Sequence, residues 1–161
     1  MRVILSDIPE IKTGETDILK SPKTVLNPQH CIGCFGCWVK TPGQCVIQDD
    51  FSDMGHLFGT CTELIFISKC TYGGVSPFIQ NALDRSISSF SPDFEVRNKE
   101  LHHKKRYDNH ITLSVYFYGA QTQKEMDTAK DLISAIAINY DATLKQVSFL
   151  KNEEEIREVF V

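Results

Sequence analysis

The 161 residues carry 17 Lys and Arg against 21 Asp and Glu, a formal net charge of −4. This lacks the basic excess that phosphate contacts require, so no nucleic-acid partner is expected. Hydrophobic residues at 42% and charged residues at 24% are ordinary for a soluble domain, and no apolar run approaches the roughly 20 residues that span a bilayer, so no membrane partner is expected. The length suits a single domain over residues 1–161. The start, MRVILSDIPE, reaches Asp7 before a long apolar stretch or small-residue cleavage site can form, so no signal peptide and a cytoplasmic location are expected. Of six cysteines, four fall within fifteen positions, which in a reducing compartment points to metal or redox chemistry rather than disulfides.

Arg2 to Asp7 is β-branched and apolar and predicts a buried strand, and Thr24 to Leu26 predicts a shorter one. Between them there is little room for a helix. Asp49 and Asp50 are expected to cap a helix whose apolar positions are Met54, Leu57, Phe58 and Cys61. Leu64 to Ser68 is a continuous apolar run suited to a central strand covered on both faces. Ser76 as N-cap and Pro77 as first residue open a helix with an apolar stripe at Phe78, Ile79, Ala82, Leu83, Ile87 and Phe90. Ile111 to Tyr118 predicts the next strand. A capping box at Thr122 and Glu125 opens the longest helix, burying Met126, Ala129, Ile133, Ile136, Ala137 and Tyr140. Val147 to Leu150 is the last strand, and Asn152 caps a final helix with Ile156, Val159 and Phe160 inward and three glutamates near its positive end.

This alternation predicts an α/β domain with a doubly wound parallel five-stranded sheet. Ligands in such sheets bind beyond the carboxyl ends of the strands. The loops expected there are Ile8 to Thr16, the cysteine loop, Lys69 to Ser76, and Gly119 to Thr122.

Cys31, Cys34, Cys37 and Cys45 read CIGCFGCWVKTPGQC, a C-x2-C-x2-C-x7-C spacing. Three thiolates two residues apart can converge on one compact cluster, with the fourth closing the site. Gly33, Gly36 and Gly43 supply backbone freedom and N–H donors for sulfur. A four-thiolate zinc site and a metal-free loop of packed thiols are the competing readings.

The cysteine segment, with the Asp49-Asp50 pair behind it, resembles that of the iron-sulfur flavoproteins and related NAD(P)H-dependent FMN reductases, which have a flavodoxin-like fold. Thr71 to Phe78 (TYGGVSPF) is similar to that family's S-P-x-Y-x-G-x-x-S loop, with Tyr72 and Gly74 in place and Ser76 one residue early, and Asp84 and Arg85 resemble its following helix. Lys69 and Cys70 stand where the family has Ser and Pro. The family's first loop, G-S-P-R-x-x-G-N-T, is degenerate here as IPEIKTGET, with only Gly14 and Thr16 in register, and the first crossover is abbreviated. The resemblance implies FMN held by Gly14, Thr16, Lys69, Cys70, Thr71, Tyr72, Gly73, Gly74, Ser76 and Gly119. It also implies NAD(P)H as substrate, a small electron acceptor, a homo-oligomer, and a [4Fe-4S] cluster on the four cysteines. In physical terms Tyr72 can stack on a planar ring, while Gly73 and Gly74 let backbone donors approach it. No acid or base side chain is required. The rival reading is a flavodoxin-like binding or assembly module without flavin catalysis, motivated by the altered loop at Ile8, Pro9 and Ile11. HHKKR at 102–106 is expected in a solvated loop at the amino edge. Trp38 and Phe35 either shield the cysteine site or anchor its loop, and His30 is expected to be an ordinary loop residue.

Overall fold

The computed structural model describes residues 1–160. Five strands form a parallel sheet in the order β2-β1-β3-β6-β7: β1 (Arg2–Ser6), β2 (Ile18–Lys20), β3 (Glu63–Lys69), β6 (Thr112–Tyr118) and β7 (Thr143–Leu150). β4 (Phe90–Arg97) and β5 (Glu100–Lys105) form a separate antiparallel hairpin. The helices are α1 (Gly36–Val39), α2 (Met54–Thr60), α3 (Pro77–Arg85), α4 (Gln123–Tyr140) and α5 (Glu153–Val159). None is long and apolar enough to cross a membrane, among the described residues.

Alternation along the buried strands divides the core by face. Val3, Leu5, Leu64, Phe66, Leu113, Val115 and Phe117 join α2, α3 and α4 in the larger cluster. Ile4, Ile65, Ile67 and Tyr118 face the other way, with Ile8 and Ile156 of α5. That second face has one helix rather than two, because Asp7–Asp17 crosses from β1 to β2 with no helix. A groove of about 600 Å³ is left there, with Ile65, Tyr116 and Phe160 in its lining. In α5 only Ile156 is fully buried. Val159, expected inward, is exposed, and Phe160 packs edge-on against Tyr116.

The capping expectations are met at three helices. Ser76 Oγ accepts from the Ile79 N–H, Thr122 and Glu125 form the reciprocal box, and Asn152 accepts from Glu155 N–H. Four other expectations are corrected.

The second strand is Ile18–Lys20, not Thr24 to Leu26. The Thr24 hydroxyl accepts from the Ser21 N–H at 2.8 Å and donates to Leu19 O at 3.0 Å, turning the chain so that only Val25 enters the core. Asp49 and Asp50 do not cap α2. Asp50 accepts from the Leu26 N–H, Asp49 pairs with Arg85, and the helix starts after Asp53. The apolar stripe of α3 does not continue through Ile87 and Phe90, because a 3-10 turn (Ser86–Ser89) intervenes and Phe90 opens β4. The HHKKR run is not a solvated loop. His102 is buried against Glu100, His103 packs between Trp38 and Phe94, and the Lys105 and Arg106 side chains bond to main-chain carbonyls, leaving only Lys104 exposed.

Gly55 and Gly59 let α2 approach its neighbours closely. A methyl group at Gly55 would lie 1.8 Å from Ser88 Oγ, and one at Gly59 within 2.1–2.5 Å of three Tyr107 ring atoms. Gly59→Ala is expected to lose about 1–3 kcal/mol of folding stability by overpacking, more than the gain in helix propensity returns. Chemical denaturation checks this, and an unchanged or raised midpoint would contradict the packing.

Candidate functional site

β1 and β3 lie side by side, but their crossovers leave in opposite directions, so the topological switch point falls between them. At its carboxyl end stand Asp7, just beyond β1, and the loop after β3. In that loop Thr71 and Gly74 exchange hydrogen bonds (2.9 and 2.8 Å) across Tyr72 and Gly73, both at positive φ (51° and 80°). This is the geometry of a tight I′-type turn, in which an aromatic residue is an outlier. The turn leaves the Tyr72 side chain outward at 92% exposure. Gly73 is required here for a second reason: a methyl group on it would lie 2.7 Å from Thr128 of α4.

Asp7 is half-buried. Its carboxylate accepts from the Lys69 N–H at 2.8 Å and the Tyr118 hydroxyl at 3.0 Å. Burial pushes the Asp7 carboxyl above the usual range, against the bonds from Lys69, Ser76 and Tyr118 that favour its charge. Burial and the Asp7 charge likewise push the Tyr118 phenol up. The Cys70 thiol is buried and pushed up, partly offset by a bond from the Gly73 N–H. The Lys69 side chain is exposed, and Gly119 sits beside its stem at the next strand end.

Lys69, Cys70, Thr71, Tyr72, Gly73, Gly74, Ser76 and Gly119 therefore do gather at one edge. Gly14 and Thr16 do not. A parallel crossover has to return to the amino edge before the next strand begins, and Gly14 sits there, donating to the Asp17 carboxylate at 2.7 Å beside Arg2. The expected Gly74 donor is also spent, on the Thr71 carbonyl at 2.8 Å.

The cysteine loop forms a second site. Cys31, Cys34, Cys37 and Cys45 border one cavity of about 140 Å³, whose other walls include Ile32, Phe35, Ile47 and Ile87. Phe35 takes positive φ (53°) to start α1, and the Gly36 N–H approaches Cys34 Sγ at 3.5 Å. Among the described residues, no three of His, Cys, Asp and Glu form a group that could hold a metal ion as they stand. Burial pushes the Cys37 thiol up, and charge on the other three thiols adds to this, which a bound cation would reverse.

Both ends of this loop are tied to α3 by one ion pair. Arg85 Nη1 and Nη2 donate to the Asp49 carboxylate at 2.8 and 2.6 Å, and to the Gln29 and Ile47 carbonyls at 2.6 and 3.1 Å. Asp49 in turn accepts from the Gln29 and Phe51 N–H groups. Four of the five guanidinium donors are thus used. The fifth, on Nε, is buried without a partner, and Arg85 borders the thiol cavity, where a Cys45 thiolate would help hold its charge. An unpartnered donor on a residue that borders a cavity lined by four thiols fits an anionic thiolate-ligated centre. Trp38 closes the loop outward, donating from Nε1 to Ile87 O at 3.3 Å within a row of rings, Phe35, Trp38, His103 and Phe94, at centroid steps of 5.1, 4.8 and 4.4 Å. His30 is exposed.

The two sites are not adjacent within the chain. Tyr72 lies just before the start of α3 and Arg85 ends that helix, roughly 13 Å along its axis at 1.5 Å per residue. The cysteine loop follows a strand, as expected, but leaves the ligand edge.

The strand order decides the fold. The fold is flavodoxin-like. The solved structures agree. An FMN-dependent NADH-azoreductase from Bacillus anthracis, in complex with FMN, superposes with a TM-score of 0.55 at 8% identity, over 98% of this chain and 92% of that one. An NAD(P)H:quinone oxidoreductase from Methanothermobacter marburgensis gives 0.58 at 10%, over 98% and 91%. In sequence, the flavodoxin-like chain resembles an iron-sulfur flavoprotein of Methanocaldococcus jannaschii, 34% identical over 85 residues. That match spans 53% of this chain and 42% of that protein. No family model matches the sequence.

The sequence reading missed Asp7 and Tyr118 as site residues. The available signal was an acid closing an otherwise apolar strand, which places it at the ligand edge.

The Arg85 clamp yields a testable consequence. Burial raises the Asp49 pKa, but the Arg85, Gln29 and Phe51 bonds outweigh this and hold it below the usual carboxylate range. A depressed folded-state pKa means the clamp's stabilisation is complete above the unfolded value of about 4 and is lost as pH falls through the folded value. Arg85→Met leaves Asp49 unpaired and is expected to cost about 3–5 kcal/mol. Trp38, the single tryptophan, reports on the loop, so its fluorescence should shift red in Arg85→Met. Unchanged emission and stability would contradict the clamp.

Proposed function

We propose that this chain is a flavin-type oxidoreductase resembling the NAD(P)H-dependent FMN reductases, working in the cytoplasm as a homo-oligomer. Its partners are a nicotinamide donor and a small electron acceptor. The observation that carries the reading is Tyr72, an exposed aromatic side chain held in a strained turn at the switch point of a flavodoxin-like sheet. A flavin bound there supplies hydride acceptance from NAD(P)H and onward electron delivery. The chain supplies position. Tyr72 offers a ring face for stacking, its turn is fixed against α4, and the Asp7–Tyr118 pair holds a proton at the strand ends.

Cys31, Cys34, Cys37 and Cys45 are proposed to hold a [4Fe-4S] cluster, supported by their shared cavity and by the unpartnered Arg85 Nε–H. A second reading, a binding or assembly module without flavin catalysis, is favoured by the position of Gly14 and Thr16 away from the ligand edge.

Oxidation of NADH or NADPH by the anaerobic protein with added flavin separates the two readings. The proposal predicts turnover bleaching the flavin absorbance. It also predicts that Tyr72→Ala weakens flavin affinity about two- to thirteenfold, from the roughly 0.5–1.5 kcal/mol of an aromatic pair. Flavin that stays oxidised with either nicotinamide contradicts it. Cys34→Ser should remove brown absorbance and leave flavin binding intact, and retained brown colour counts against the cluster.

A further inference from the structure

We propose that the site at the carboxyl edge takes a flavin by its ring without reading the phosphate, so that riboflavin and FMN are equivalent ligands. The inference rests on the flavin reading above and specifies its substrate class.

A phosphate monoester is held by converging N–H donors, a helix N-terminus or a guanidinium. The helix that would follow β1 is absent, since residues 7–17 form none. Several main-chain donors at the edge are committed elsewhere. The Asp7 N–H bonds Ile67 O at 3.1 Å, the Ile8 N–H bonds Ser6 Oγ at 3.0 Å, and Pro9 has none. Beyond β3, the Ser76 N–H goes to Ser68 Oγ at 2.7 Å, and the Gly74 N–H closes its own turn on the Thr71 carbonyl at 2.8 Å. Beyond β6, the Gly119 N–H meets Leu150 O at 3.3 Å.

Where donors do point at an anion, that anion belongs to the chain. Asp17 accepts from Gly14 and pairs with Arg2, Glu125 accepts from Gln121 and Thr122 at 2.8 and 3.1 Å, and Asp7 accepts from Lys69 at 2.8 Å. The Lys69 ammonium is on the same loop but is exposed, and an exposed charge contributes little discrimination. A ligand recognised through its ring has no use for the phosphate.

Titration of the full chain with riboflavin and with FMN, read by flavin fluorescence, tests this. The expected result is dissociation constants within about threefold of each other, the scale of an exposed-charge effect. FMN binding tenfold or more tightly than riboflavin, or tenfold or more weakly, overturns the inference and leaves the flavin reading standing. Binding of neither overturns both.

Discussion

The buried pair between Asp49 and Arg85 is the constraint on which the cysteine site depends. Residues 29 to 49 contain two glycines and an aromatic at positive φ and only one short helix, so little of the segment is self-supporting. The guanidinium gathers Gln29, Ile47 and Asp49 to one point at the end of α3, closing the loop at both ends. Isolated buried pairs are weak evidence for net stability, because desolvation opposes the attraction. Here the pair is saturated by main-chain partners on both sides, and its value is conformational: it fixes where the four thiols stand. The one guanidinium donor it leaves over borders those thiols.

The same economy shapes the ligand edge. Dropping the helix after β1 shortens the chain but removes the positive helix end that would cradle a phosphate. The chain's own carboxylates take up donors around the sheet, Asp17 at one edge and Asp7 and Glu125 at the other. What is left for a ligand is the switch-point turn with Tyr72. The two candidate redox centres then lie at opposite ends of α3, linked through one rigid helix rather than through a shared pocket.

Much of this was legible in the sequence, for identifiable reasons. The runs RVILSD and LIFIS are apolar enough to specify central strands, and the caps at Ser76, Thr122 and Asn152 each carry a local hydrogen bond that needs no tertiary context. The clustering of Lys69 to Ser76 with Gly119 followed from strand ends alone. Where reading failed, the deciding contact was distant. Thr24 and Val25 look like a strand until the Thr24 hydroxyl closes on Ser21. Asp49 looks like a cap, but its partner lies 36 positions away. Gly14 matched a motif in register, yet without a helix behind β1 the same residue falls at the other edge. The basic run HHKKR reads as solvent-facing because its partners, Trp38, Ser88 and Phe90, are contributed by other segments.

Redox chemistry is proposed for both sites of this fold. The most direct measurement is the visible absorption spectrum of the full chain purified without oxygen and then supplied with flavin, iron and sulfide. The expected result is flavin bands together with a broad brown absorbance that bleaches on reduction. A protein that stays colourless and takes up neither flavin nor iron would contradict it.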